Sequence, residues 1–199
     1  MNWMAEGLAA RGLRTARFEF PYMAARRSGG RRPPDRLPVL LETWRAAIAA
    51  LDCERIFIGG KSMGGRMASL IAAELEVAGK PVQGVVCLGY PFHSPGRDPG
   101  PNRIEHLAGL RTPMLILQGT RDPFGKPEEV DGYKMASAVQ VHWLADGDHD
   151  LKPRQASGRD WRNNREDAME AIMAFVSTVD PRAPHLLPRP TSWGLRSVN

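Results

Sequence analysis

The sequence predicts an α/β domain: a mostly parallel sheet with helices on both faces. Apolar runs of strand length alternate with helix-like stretches along almost the whole chain. The run at residues 84–89 is short and continuously apolar, as a strand is when both sheet faces are covered. A third observation bears on chemistry as well as fold. Residues 55–59 run into Gly60-Lys61-Ser62-Met63-Gly64 and then into a helical pattern. A serine on so sharp a strand-to-helix turn has its side chain forced outward.

Each element can be justified in order. Residues 2–10 read as a helix with Trp3, Leu8 and Met4 toward its apolar side, and Gly12 ends it. Residues 13–20 read as a strand closed by Pro21, and residues 28–34 as loop. Residues 38–51 read as a helix, because Val39, Leu40, Thr43, Ala47 and Leu51 recur at helical spacing. The strand 55–59 and the helix 65–78 flank the serine turn. After the strand 84–89 comes a Pro/Gly-rich loop, residues 90–102, and then a short helical turn within 104–110. Residues 113–118 read as another buried strand, 127–136 as a helix and 139–144 as the last strand. Residues 145–164 are irregular, and 165–179 form the closing helix. The domain is therefore expected to span residues 1–179. Residues 180–199 hold four prolines and little apolar periodicity, and read as a flexible tail.

Composition narrows the function classes. The hydrophobic share of 42% and charged share of 25% are those of an ordinary soluble domain. No apolar run approaches the ~20 residues of a membrane span. The N-terminus lacks a basic segment followed by an apolar one, so no secretory signal is read and a cytoplasmic location is expected. Cys53 and Cys87 lie in or beside predicted strands and read as small core residues. The net charge is +5, with Arg26, Arg27, Arg31, Arg32 and Arg36 clustered in one Gly/Pro-rich stretch. Such a loop can bind nucleic acid. No interleaved aromatics accompany it, so a solvated basic loop is the preferred reading.

Ser62 is a weak nucleophile alone and needs a base, which in turn needs an orienting acid. Gly60 and Gly64 are expected to leave the turn nearly bare. The amides opening the next helix, that of Met63 first, favour a developing negative charge. On this topology the partners follow strands in the order Ser, acid, His. Asp122, in Gly119-Thr120-Arg121-Asp122-Pro123, is the acid candidate; its alternative is a helix cap, for which it stands a little early. His149 follows the last strand and is the base candidate; its alternative is a surface loop histidine. His142, His106 and His185 are weaker rivals. His93, in Tyr90-Pro91-Phe92-His93, is a candidate for lining the substrate pocket. Asp146, Asp148 and Asp150 could shape the loop of His149. They lack the Gly and Glu of a calcium loop, so no metal and no cofactor are expected. Lys61 could face solvent or attract an anionic substrate, and Arg66 could join a salt bridge.

Four blocks together resemble a family of small α/β-hydrolases similar to dienelactone hydrolases. They are Phe18-Glu19-Phe20-Pro21-Tyr22-Met23, Gly59-Gly60-Lys61-Ser62-Met63-Gly64-Gly65-Arg66, Gly119-Thr120-Arg121-Asp122-Pro123-Phe124-Gly125 and Gly147-Asp148-His149-Asp150-Leu151. The resemblance covers roughly residues 2–176. Its animal members include a testis-expressed protein and a non-enzymatic-looking subunit of a histone acetyltransferase complex. It implies Ser62 as nucleophile, Asp122 as acid, His149 as base and the Met63 N–H as one oxyanion donor. Members also carry an earlier strand and His-Gly-rich loop that supply the second donor, and that strand lies between the segments matching residues 13–20 and 55–59. This sequence begins after it. One lost oxyanion donor costs on the order of a hundredfold to a thousandfold in rate. Either the true start lies upstream of Met1, the reading preferred here, or the short chain is unstable, inactive or a binding remnant.

The expected activity is hydrolysis of an ester, thioester or lactone of a small acyl substrate through an acyl-enzyme. The rival expectation is a catalytically weak interaction module on the same fold. The sequence leaves substrate identity and oligomeric state open.

Overall fold

The computed structural model describes residues 1–27, 29, 32–51, 53–96 and 101–183. Four strands form one parallel sheet in the order β1-β2-β3-β4: β1 (Phe57–Lys61), β2 (Gly84–Leu88), β3 (Met114–Gly119) and β4 (Val139–Leu144). Successive strand side chains point to opposite faces, so the sheet feeds two cores. Val85, Cys87, Met114 and Ile116 face one core, which α3 (Leu37–Ala49) and α4 (Met63–Val77) cover through Leu40, Trp44, Met67 and Ile71. Leu88, Leu115 and Leu117 face the other, covered by α1 (Asn2–Ala9) and α7 (Trp161–Val179) through Met4, Met169 and Ile172. Helices on both faces explain the continuous apolar runs.

Several boundaries differ from the sequence reading, each for a physical reason. Residues 13–20 join no ladder. A strand exists only beside a neighbour, and β1 is paired with β2 alone, its outer edge meeting no strand among the described residues. Phe18 instead lies edge-on to Phe20 and Trp44 while 39% exposed. Pro21 does stop the extended segment, but by opening α2 (Pro21–Arg27), a helix the sequence reading missed. The Asp35 carboxylate accepts the Tyr22 N–H at 2.9 Å near its start. The helical turn expected within 104–110 is a 3₁₀ turn (Glu105–Ala108) entered from α5 (Pro101–Ile104), and the helix expected at 127–136 is only α6 (Pro127–Val130). Gly132 weakens it, and the Ala136 N–H turns away to the Leu107 carbonyl at 2.9 Å. The closing helix starts earlier than 165, because Asp160 and Asn163 cap each other reciprocally.

Cys53 is exposed, not a core residue, since it lies on the approach to a strand that starts only at Phe57. Cys87 is buried, and burial pushes its thiol pKa up. In the basic loop, Arg26 stacks over Tyr22 and bonds the Arg32 carbonyl, and Arg27 pairs with Glu19. Arg31 lies outside the described residues, as do residues 184–199 of the expected tail. Asp180, the first residue of that tail, is buried and pairs with Arg55 at 2.5 Å. No helix among the described residues is long and apolar enough to cross a membrane.

Candidate active site

The chain leaves β1 and enters α4 through Ser62, whose backbone has φ +52° and ψ −121°. A non-glycine residue there is strained, at a cost of order 1–3 kcal/mol. The turn is held by the Ser62 N–H, which donates to the Leu88 carbonyl of β2 at 2.9 Å. The glycines that permit it are Gly60 and Gly65, rather than Gly60 and Gly64 as the motif suggested. A Cβ on Gly60 would sit 2.8 Å from the Gly64 backbone, and one on Gly65 would sit 2.7 Å from the Gly60 carbonyl and 2.9 Å from Cys87 Sγ. Gly64 faces open space.

The structure brings Ser62, His149 and Asp122 together. Ser62 Oγ lies 2.9 Å from His149 Nε2, and His149 Nδ1 lies 2.9 Å from Asp122 Oδ2. Asp122 follows β3 and has no exposed surface. Its Oδ1 accepts the Phe124 N–H at 2.9 Å, and its Oδ2 also accepts from Gln118 Nε2 at 2.9 Å. A buried carboxylate so supplied with donors has a fixed direction in which to face the histidine.

His149 stands on the loop after β4, and that loop is fastened from several sides. The Asp146 N–H donates to Thr120 Oγ1 at 2.8 Å, and the Asp146 carboxylate pairs with Arg121 and Arg154. The Arg154 hydrogen bonds hold the Asp146 pKa down, to about 2. Asp148 Oδ1 accepts the N–H groups of Asp150 and Lys152. Asn164 of α7 donates to the carbonyls of Ala145 and Leu151. Gly119 matters here, because a Cβ on it would overlap the carbonyls of Gly147 and Asp148. The His149 ring lies against Phe124 at 4.4 Å between centroids.

The other expected residues take different places. The Met63 N–H opens α4, where it has no acceptor within the helix. The Lys61 ammonium pairs with Asp150 at 2.5 Å. His93 is 5% exposed, its ring between the Ser94 carbonyl and the Glu129 carboxylate. His106 forms a second Ser–His contact, with Ser69 Oγ at 2.8 Å. Ser69 is fully buried inside α4, where no substrate reaches it. Burial, and then the charge of Arg66, lower the His106 pKa to about 4, so this ring is neutral near pH 7. Among the described residues no cluster of His, Cys, Asp and Glu could hold a metal ion.

Sequence reasoning missed Gln118, Phe124 and Asn164 as supports. Gln118 carried a usable signal: one polar residue ending a run of buried apolar ones must find partners. It bonds the backbone of Tyr90 as well as Asp122.

A model of the alpha/beta hydrolase domain matches residues 1–177 of this chain. The chain belongs to the alpha/beta hydrolase family. Its fold is similar to that of solved structures. An alpha-beta serine hydrolase homologue from Coxiella burnetii aligns at 19% identity and TM-score 0.64, over 86% of this chain and 74% of that one. A structure reported for the metagenome-derived lipolytic enzymes LipS and LipT aligns at 17% identity and TM-score 0.59, over 89% and 87%. A monoacylglycerol lipase from Paleococcus ferrophilus aligns at 14% identity and TM-score 0.56, over 74% and 78%. At such identities the likeness is one of fold.

Proposed function

We propose that this hydrolase, of the dienelactone-hydrolase-like kind, cleaves a carboxylic ester, thioester or lactone of a small substrate. Ser62 is the nucleophile, His149 the base and Asp122 its orienting acid. The observation that carries the reading is the continuous relay Ser62 Oγ–His149 Nε2 and His149 Nδ1–Asp122 Oδ2, both steps at 2.9 Å. The Asp122 carboxylate accepts the Nδ1–H, which leaves Nε2 free to take the hydroxyl proton as Oγ attacks the carbonyl carbon. The oxyanion develops near the Met63 N–H and the N-terminus of α4. His149 returns the proton to the departing alkoxide or thiolate, leaving an acyl-Ser62. Water then adds, His149 takes its proton, and the acid and free serine are regenerated.

Hydrolysis of p-nitrophenyl acetate and labelling by a fluorophosphonate test this. Ser62→Ala is expected to lower kcat at least about a thousandfold and to abolish labelling. Equal turnover and labelling in the parent and the variant would sink the proposal. The outer edge of β1, which meets no strand among the described residues, and the single identified oxyanion donor favour a second reading, an interaction module on the hydrolase fold. A folded parent that neither turns over esters nor labels at Ser62 would support it.

A further inference from the structure

We infer that Lys61 and Asp150 form a positioning tie that holds the base over the nucleophile, an assignment that rests on the proposed roles of Ser62 and His149. Lys61 immediately precedes Ser62, and Asp150 immediately follows His149. Their side chains meet at 2.5 Å between Nζ and Oδ1. The pair therefore joins the two backbones that carry the reacting hydroxyl and the imidazole, beside the Ser62–His149 hydrogen bond itself.

Both ends are anchored. Lys61 is the last rung of β1, opposite Leu88. The Asp150 N–H is held by Asp148 Oδ1 at 2.8 Å, and its carbonyl accepts from Trp161 Nε1 of α7 at 3.3 Å. The side chains are 35% and 65% exposed, a setting in which an ion pair adds little to global stability. Its effect is local. The His149 loop holds two non-glycine residues at positive φ, Asp146 at +54° and Leu151 at +63°. Such a loop stays in place only where its surroundings over-determine it. Phe124 limits movement of the ring on one side, and Gly89, whose added Cβ would sit 2.8 Å from the His149 carbonyl, brings β2 against it on another. Lys61 holds the loop from the elbow. Hydrogen bonding to Lys61 also keeps the Asp150 carboxyl below its ordinary range, so the tie persists in mild acid. The same pairing matches the charge through which Lys61 could have attracted an anionic substrate.

The test uses four variants of the full chain: Lys61→Met, Lys61→Arg, Lys61→Met with Asp150→Ala, and the reversed pair Lys61→Asp with Asp150→Lys. Lys61→Met is expected to lower kcat about tenfold with KM little changed, a fraction of the hundredfold that an ångström of misplacement can cost. Lys61→Arg and the reversed pair recover most of it. The double truncation is no worse than the single one, as for residues acting as a unit. In parallel, the ¹⁵N signals of the His149 ring are expected to be sharp in the parent and in Lys61→Arg, and broadened in Lys61→Met. Unchanged kcat and unchanged ring signals in Lys61→Met would overturn the tie. So would a loss that neither Arg nor reversal restores, or a rise in KM for anionic esters with kcat intact. If Ser62→Ala matched the parent in turnover, the functional reading would fail, and the ring signals would still decide whether this pair holds His149.

Discussion

The two ends of the sheet are built unequally. At the β4 end, the β3–β4 ladder runs from Met114 opposite Val139 to Gly119 opposite Leu144, and the loops beyond it carry Asp122 and His149. These residues are buried or fastened by Gln118, Thr120, Arg121 and Asn164. At the β1 end, one edge has no strand beside it among the described residues, and residues 14–19 lie exposed. The elbow sits where the two meet. Two of the three relay groups depend on the finished end, and only Ser62 depends on the open one. The Ser62, His149 and Asp122 side chains thus meet across a sheet whose two margins are packed differently.

The comparison can be broken first at the finished end. Asp122→Asn keeps the shape of the site but exchanges an acceptor for a mixed donor and acceptor. It is expected to lower kcat by up to about 10⁴-fold with little change in thermal midpoint. A drop below tenfold would mean that the buried carboxylate serves the loop and not the imidazole. Next comes Gly119→Ala, whose methyl group would push the Gly147–Asp148 backbone away. A loss of about 3 kcal/mol in denaturant unfolding is expected, with the His149 loop displaced. A variant as stable and active as the parent would show that this close approach constrains nothing.

A pH measurement addresses the junction between the ends. His106 is held near a pKa of about 4 by burial and then by Arg66, against an ordinary 6.5. Its folded pKa lies below the unfolded one, so the unfolded chain takes up the proton first. The associated stability is complete above about pH 6.5 and is lost as pH falls toward 4. Thermal midpoints across that window should fall less steeply for His106→Leu than for the parent, and parallel slopes would exclude this origin. The smallest effect belongs to the open end. Phe18→Ala removes two edge-on ring contacts from a half-exposed side chain, and about 1 kcal/mol is expected. A loss of 3–5 kcal/mol, the range for a buried Phe, would mean that this segment is packed as a core strand.

The sequence was most legible where pattern and structure share a local cause. The elbow, the strands β2 to β4 and the chain order of Ser62, Asp122 and His149 all have local signals: an apolar run, a Gly-Ser-Gly turn, a carboxylate or imidazole after a strand. Residues 13–20 have the local signal of a strand too, but a ladder depends on a neighbour, which no window of sequence contains. The same limit hid Asn164 behind the His149 loop and Lys61 beside Asp150, since these partners meet only once the sheet has formed. The part given to Gly64 belongs to Gly65, while that of Gly60 holds, for a related reason. The motif names positions, whereas the packing of Cys87 under the helix decides which of them must stay bare.

The unfavourable backbone of Ser62 has one more consequence. It is upheld by its bond to Leu88 of β2 and by the close approach of Gly60 in β1 to Gly65 in α4. If β1 frayed from β2, Ser62 would relax into ordinary φ, ψ space and its hydroxyl would turn away from His149. Every residue of the relay would still be present, yet the molecule would be inert. On the proposed chemistry, the reactivity of this serine toward an electrophile would therefore be a gauge of local order, reading out how firmly β1 stays closed against β2 at any moment.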